Sequence, residues 1–191
     1  KRFIISDKRF IISDKRFIIS DKRFIVSPAS GTITNISEYM GYIRIYIFVG
    51  LFDSHVQYYP YSGRITKVKY SKGKPLQILG FNIQYPAYTV KSANNEMSTT
   101  YLYNEKTGEI IITQIAGILA NRIINNSEVG QEVNQGDKLG KIIMGSSVIL
   151  YIPKRNISEI LVKKGDTIQP LQPLIQITSR NNSEIKYFFN F

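Results

Sequence analysis

Glu128-Val129-Gly130-Gln131-Glu132-Val133-Asn134-Gln135-Gly136-Asp137-Lys138-Leu139-Gly140-Lys141-Ile142 is the stretch that decides the fold class. Gly136-Asp137 suits a tight turn, because glycine supplies positive φ and aspartate bonds its own backbone. Val133 and Leu139 stand on either side of that turn and can fill one core. The pattern recurs loosely in Leu161–Ile177, with Gly165-Asp166 at the turn and Ile168 and Leu174 around it. Two such units predict a mainly β protein made of short strands. Moving outward, Ile43–Val49 mixes β-branched and aromatic residues as a strand does. Gly63-Arg64-Ile65-Thr66-Lys67-Val68 leaves a turn and continues as another. One helix is predicted over Ile115–Ile124, with Ile118, Leu119, Ile123 and Ile124 on its buried side and Asn125-Asn126 ending it.

The Val-x-x-Gly-x-x-Val units resemble lipoyl- and biotinyl-carrier domains, whose hairpins fold into a flattened barrel-sandwich. Neither unit carries a Met-Lys-Met type lysine at its turn, so a swinging-arm carrier is disfavoured. At 191 residues the chain suits one well-cored domain. It has no uninterrupted apolar stretch of about 18 residues, the length a membrane-spanning helix needs. Cysteine is absent, which removes disulfides and thiolate chemistry, and a single histidine makes a multi-histidine metal site improbable, so no metal is expected.

Net charge is +11. Residues 1–23 carry eight Lys or Arg and three Asp, so +5 lies there and +6 elsewhere. The other basic residues, such as Lys67, Lys69, Lys163 and Lys164, are not interleaved with aromatics as a base-stacking groove requires, which argues against nucleic acid. An anionic membrane surface is the simpler partner, at about 1 kcal/mol per well-placed Lys or Arg. The first 21 residues are three perfect copies of Lys-Arg-Phe-Ile-Ile-Ser-Asp, and a fourth begins at Lys22. Unstructured chain, an added edge strand and an interfacial helix all remain open for them; the functional version is a lipid-surface arm and the bland one tolerated duplication. The aromatic tail after residue 180 reads as a docking strand or a frayed end. The expected division is therefore a repeat extension over 1–23, a domain over 24–180 and a tail over 181–191.

Met144-Gly145-Ser146-Ser147 taken alone is an ordinary turn. Its company is more specific: Ile25-Val26-Ser27-Pro28-Ala29-Ser30-Gly31, Phe52-Asp53-Ser54-His55-Val56, Pro60-Tyr61-Ser62-Gly63, Asn95-Glu96, Gln114-Ile115-Ala116-Gly117 and Ala120-Asn121-Arg122-Ile123 occur in one order. Over roughly residues 24–178 the whole resembles the phosphatidylserine decarboxylase family in its short, soluble-type form. The resemblance implies a barrel-sandwich-like, mainly β fold with one or two short helices. It implies a proenzyme that cuts itself between Gly145 and Ser146 into a β chain (1–145) and an α chain (146–191), with Ser146 converted into a pyruvoyl group. That group would serve as electron sink in the decarboxylation of phosphatidylserine to phosphatidylethanolamine. It further implies His55 as base and proton donor, an intracellular, peripheral-membrane location, and a homo-oligomer.

The sequence departs from the family at Ser30, where relatives carry an aspartate that orients the histidine. Ser30 and Asp53 are the candidates for that task here. Arg122 and Lys141 are the candidates for the lipid phosphate, since asparagine and methionine stand where the family has arginines, at Asn121 and Met97. The rival reading is an unprocessed, non-catalytic relative that acts as a lipid-binding or structural module.

Overall fold

The computed structural model describes residues 22–178 apart from 75, 79–80, 87–89, 118–121 and 143–144. The three perfect repeats and the aromatic tail lie outside these residues. The first half of the chain supplies β1 (Phe24–Val26), β2 (Gly31–Tyr39), β3 (Tyr42–Val49), β4 (Val56–Tyr58), β5 (Gly63–Ser71), β6 (Leu76–Ile78) and β7 (Phe81–Ile83). The second half supplies β8 (Met97–Asn104), β9 (Gly108–Ala116), β10 (Ile123–Asn125), β11 (Glu132–Val133), β12 (Lys138–Ile142), β13 (Ser146–Pro153), β14 (Ile157–Ile160), β15 (Thr167–Ile168) and β16 (Pro173–Ile177). The mainly β expectation holds, and the helical content described is two 3₁₀ turns, Val90–Asn94 and Lys154–Asn156.

The helix expected over Ile115–Ile124 is not formed at either end. Ile115 and Ala116 close β9, and Ile123 and Ile124 open β10. An isoleucine-rich run fits both periodicities, and here pairing decides. β9 lies between β8 and β13, bonded to both through Ile115, and β-branched side chains pack well on such a surface.

Eight strands form the main sheet in the order β11-β5-β8-β9-β13-β3-β2-β15. Two three-stranded layers, β10-β12-β4 and β1-β16-β14, complete the core. Each Gly-Asp unit gives its strands away rather than closing on itself: β11 joins β5 and β12 joins β4, while β15 joins β2 and β16 joins β1. The core is dominated by isoleucine, including Ile25, Ile33, Ile45, Ile47, Ile65, Ile110 and Ile112, all fully buried.

The fold is an internal pseudo-twofold. The main sheet reads the same from both ends when β11, β5, β8 and β9 are matched with β15, β2, β3 and β13. Registers agree residue by residue. Val133 faces Gly63 as Ile168 faces Gly31. Tyr103 pairs Arg64 as Phe48 pairs Thr32, and both hairpins carry a bulge one step further, at Ile65/Lys67 and Ile33/Asn35. The backbone of Gly130 donates to Ile65 O as Gly165 donates to Ile33 O, each at 2.8 Å. The halves also lock reciprocally: Val26 N donates to Pro60 O at 3.0 Å, and Tyr58 N donates to Pro28 O at 2.9 Å. Gly31 and Gly63 are the pivots. A Cβ would lie 2.1 Å from Phe48 O at Gly31 (φ +143°) and 2.3 Å from Tyr103 O at Gly63, so only glycine lets the hairpins approach this closely.

Candidate active site

Ser146 is the first residue of β13, opposite Val49 of β3 and Ala116 of β9. Its side chain is fully buried and its hydroxyl has no hydrogen-bond partner among the described residues. A buried hydroxyl without a partner costs roughly 1–3 kcal/mol, so the fold tolerates it against its own stability. Gly145 precedes it at φ +53°, in the left-handed region that residues with a Cβ resist. The Gly145–Ser146 bond is thus held at the point where the chain enters the middle of the main sheet.

His55 immediately precedes β4. Its carbonyl accepts from Ile142 N at 3.2 Å, and only residues 143–145 separate Ile142 from Ser146. On the other side, five residues separate His55 from Val49, the neighbour of Ser146 in the sheet. Gln57 stands two residues after His55 and meets Gln114 on the inner face of the main sheet. Ser146 and Ala116 form the next pair on the same face beyond Val148 and Gln114, two residues along. The two strands therefore bring His55 and Ser146 to one end of the interior.

The imidazole is half-buried, with Nδ1 2.5 Å from Asp53 O. A main-chain carbonyl can only accept, so Nδ1 carries the hydrogen and Nε2 is left with its lone pair as a base. Asp53 therefore orients His55, but through its backbone. Sequence alternation would place the Asp53 carboxylate on the histidine's face; instead Asp53 sits in a turn, and its Oδ2 accepts from Gly50 N at 2.8 Å. Ser30 is buried and donates from Oγ to Ser54 O at 3.2 Å. It thus braces the residue before His55 and does not touch the ring through any hydrogen bond found here.

Asn95 and Glu96 hold the far wall. Asn95 Nδ2 donates to Ala116 O at 2.6 Å and Tyr85 O at 2.7 Å, and its Oδ1 accepts from Tyr85 N at 2.8 Å. The Glu96 carboxylate accepts from Tyr70 Oη at 3.1 Å and Ile123 N at 3.2 Å. Burial first, then the Glu96 charge, pushes the Tyr70 hydroxyl above its ordinary pKa. Arg122 and Lys141 are both exposed. Lys141 pairs with Val56, next to His55, and with Ile124, two residues beyond Arg122. Sequence reasoning quoted Gln114 within the Gln114-Ile115-Ala116-Gly117 motif without giving it a role and did not single out Gln57; the two amides meet beside His55. A glutamine in an apolar strand run was their signal.

The fold is mainly β, and a buried serine follows a left-handed glycine where the chain enters the main sheet. The chain's single histidine precedes the strand that pairs with β12. The sequence profile of phosphatidylserine decarboxylase matches residues 7–176. The chain belongs to the phosphatidylserine decarboxylase family. It is 36% identical over 141 residues to a provisionally named archaetidylserine decarboxylase proenzyme of Methanosarcina mazei, covering 74% of this chain and 60% of that one. It is 32% identical over 158 residues to a phosphatidylserine decarboxylase proenzyme of Wolbachia sp. subsp. Brugia malayi, covering 82% and 64%. The corresponding protein of Wolbachia pipientis wMel is 31% identical over 175 residues, covering 85% and 71%. The chain thus spans about 60–71% of the length of these relatives.

Proposed function

We propose that this chain is a proenzyme that cleaves itself at Gly145-Ser146 and then decarboxylates phosphatidylserine to phosphatidylethanolamine. The observation that carries the reading is the buried, unpartnered Ser146 hydroxyl after a left-handed glycine. His55 Nε2 takes the hydroxyl proton as Ser146 Oγ attacks the Gly145 carbonyl carbon. The Gly145–Ser146 C–N bond breaks, the proton passes to the departing nitrogen, and an ester replaces the amide. Loss of the Ser146 α-hydrogen then expels the Gly145 carboxylate, and one water replaces the nitrogen as ammonia leaves. Residue 146 is thereby left as a pyruvoyl group, which when formed supplies an electron sink for the bond to the departing CO₂. The orphaned Oγ fits that fate, because it is the atom consumed and has no structural partner to lose. His55, fixed with Nε2 free, is the group available to return a proton to the decarboxylated carbon.

Arg122 and Lys141 flank the layer that carries His55 and suit the phosphate of the headgroup. The names of the relatives differ in the lipid body and agree on a serine headgroup, which favours recognition at the headgroup. With the basic N-terminal copies, these charges favour a peripheral position on an anionic membrane. Mass spectrometry of the purified chain tests the cleavage: products of 145 and 46 residues, the shorter one blocked by pyruvate, are expected. A single intact chain unchanged by incubation would refute the self-cleavage.

One observation favours the non-catalytic alternative. Among the described residues no carboxylate hydrogen-bonds His55: the Asp53 carboxylate holds Gly50 N, and Ser30 stands at the family's aspartate position. A chain that stays intact and still binds phosphatidylserine vesicles would support that reading.

A further inference from the structure

The pseudo-twofold supplies an internal control for every residue near Ser146. In the half made by β1, β14 and β16 the matching positions are apolar. Gln57 corresponds to Ile25, Gln114 to Ile152, Ser98 to Ile43, and Thr100 to Ile45, by the registers described above. All eight are buried. The same backbone is therefore packed once with isoleucine and once with amides and hydroxyls. Folding does not require the polar set, and a requirement at this end of the interior does.

Most of that polar set is satisfied internally. Asn125 Nδ2 donates to Ser98 Oγ at 2.8 Å and Thr100 Oγ1 at 2.9 Å. The glutamine relay is different, and its direction is fixed by its first acceptor. Gln57 Nε2 donates to His55 O at 2.8 Å, since a carbonyl can only accept. Gln57 Oε1 then accepts from Gln114 Nε2 at 3.0 Å. The far end of the relay must be Gln114 Oε1, an acceptor, and it is buried without a donor. It and Ser146 Oγ are the two buried side-chain polar atoms without partners among the described residues. Gln114 stands diagonal to Ser146 across β9 and β13 on the same face, a spacing of about 7–8 Å that a glutamine side chain largely bridges.

The hydrogen-bond count at this end is unbalanced. Gln114 Oε1 and His55 Nε2 both accept, and Ser146 brings one hydrogen. A further donor is needed, and the one hydrogen that Ser146 brings is itself lost once Ser146 is consumed. The proposed substrate carries a primary amine, which must approach residue 146 and brings N–H groups.

We infer that Gln114 is a specificity-determining residue whose amide oxygen accepts a hydrogen bond from the amine of the serine headgroup at residue 146, with Gln57 holding that amide in place. The inference rests on the proposed function above. It assigns amine recognition to a neutral acceptor inside the protein, leaving the headgroup's anionic parts to groups outside it.

The test uses the full chain with Ser146→Ala, so that binding is measured without covalent chemistry. Calorimetry compares O-phosphoserine with its deamino analogue. The Ser146→Ala chain is expected to bind O-phosphoserine at least about tenfold more tightly, and adding Gln114→Met should bring the two ligands to equal affinity. Gln114→Met strands Gln57 Oε1, so a second variant, Gln57→Ile with Gln114→Ile, copies the Ile25 and Ile152 arrangement of the other half. It should keep or raise the melting temperature and likewise lose the preference. A preference that survives in both variants, or no binding of O-phosphoserine at all, overturns the inference. In the Ser146-containing chain, Gln114→Met should still cleave, and KM for phosphatidylserine should rise more than kcat falls. Failure of the unaltered chain to cleave would count against the proposed function alone, because the binding comparison does not depend on cleavage.

Discussion

Removing the Ser146 hydroxyl should stabilise the uncut chain. The oxygen is fully buried and unpartnered, so folding strips it of water without compensation. That loss is worth roughly 1–3 kcal/mol for a hydroxyl. Alanine deletes one atom among Val49, Ala116 and neighbouring strands and leaves a void too small to offset much of the gain. A net gain of about 1–2 kcal/mol follows, or about 2–8 °C in melting temperature for a domain of this size. Cleavage must be blocked in both members of the comparison without touching residue 146. His55→Phe does this by keeping the ring and removing its nitrogens. Thermal and urea unfolding of His55→Phe and of His55→Phe with Ser146→Ala would then report the hydroxyl alone. Ser147→Ala is the neighbouring control, since Ser147 is also buried but has an interaction to lose, and it should not stabilise. If Ser146→Ala leaves stability unchanged or lowers it, the hydroxyl has a partner in solution. The argument that the fold holds its nucleophile at its own expense would then fail.

Ser30→Asp should speed cleavage in a gel time course by about tenfold or more, since it offers Nδ1 of His55 a carboxylate where Asp53 offers only a carbonyl; equal rates would show that the backbone acceptor suffices. Gly31→Ala should destabilise by about 1–3 kcal/mol in urea unfolding, because its Cβ would meet Phe48 O at 2.1 Å, and by more than Gly63→Ala, whose backbone is not in the positive-φ region; the reverse order would undo the account of the pivots. Tyr59 and Tyr151 are pushed above the ordinary tyrosine pKa chiefly by burial. Their protonated forms are favoured in the folded state, so the stability they contribute is whole below about pH 10 and is lost as pH rises through the folded values. Chemical unfolding across that range should show the decline, and Tyr59→Phe should make it shallower; an unchanged slope would remove Tyr59 from the account.

Local features were the legible part of this sequence. The β-branched runs became β3 and β5 near the expected limits, and both Gly-Asp units turned where expected. Pairing partners were not legible, because the strands of each unit bind segments at least 68 residues away in β5, β4, β2 and β1. The symmetry was hidden for a related reason. Ser27-Pro28-Ala29-Ser30-Gly31 and Tyr59-Pro60-Tyr61-Ser62-Gly63 share only proline, serine and glycine, the residues that the backbone turn demands. Side chains are free to differ where only the backbone is shared. At the site, His55 and Ser146 were legible through the family pattern. The use made of Asp53 was not, because strand alternation does not reveal a turn that ties its carboxylate to Gly50 N.

The two halves divide labour that a single sheet would find hard to combine. An interior with Gln57, Gln114, Ser98 and Thr100 buried gives up the roughly 1.5–3 kcal/mol that each large apolar side chain gains on burial. The matching isoleucines of the other half retain it. The reciprocal bonds between Val26 and Pro60 and between Tyr58 and Pro28 tie the polar layer directly to the apolar one. β9 and β13 pair along the pseudo-axis, so the strand that presents Ser146 at one end runs to Ile152 in the apolar half at the other. Rigidity at the Gly145–Ser146 bond, the proposed cleavage site, can thus come from packing on the opposite side of the axis. The polar end is then free to keep unsatisfied acceptors, and a duplicated fold of this kind can hold a buried reactive serine that one copy alone would struggle to support.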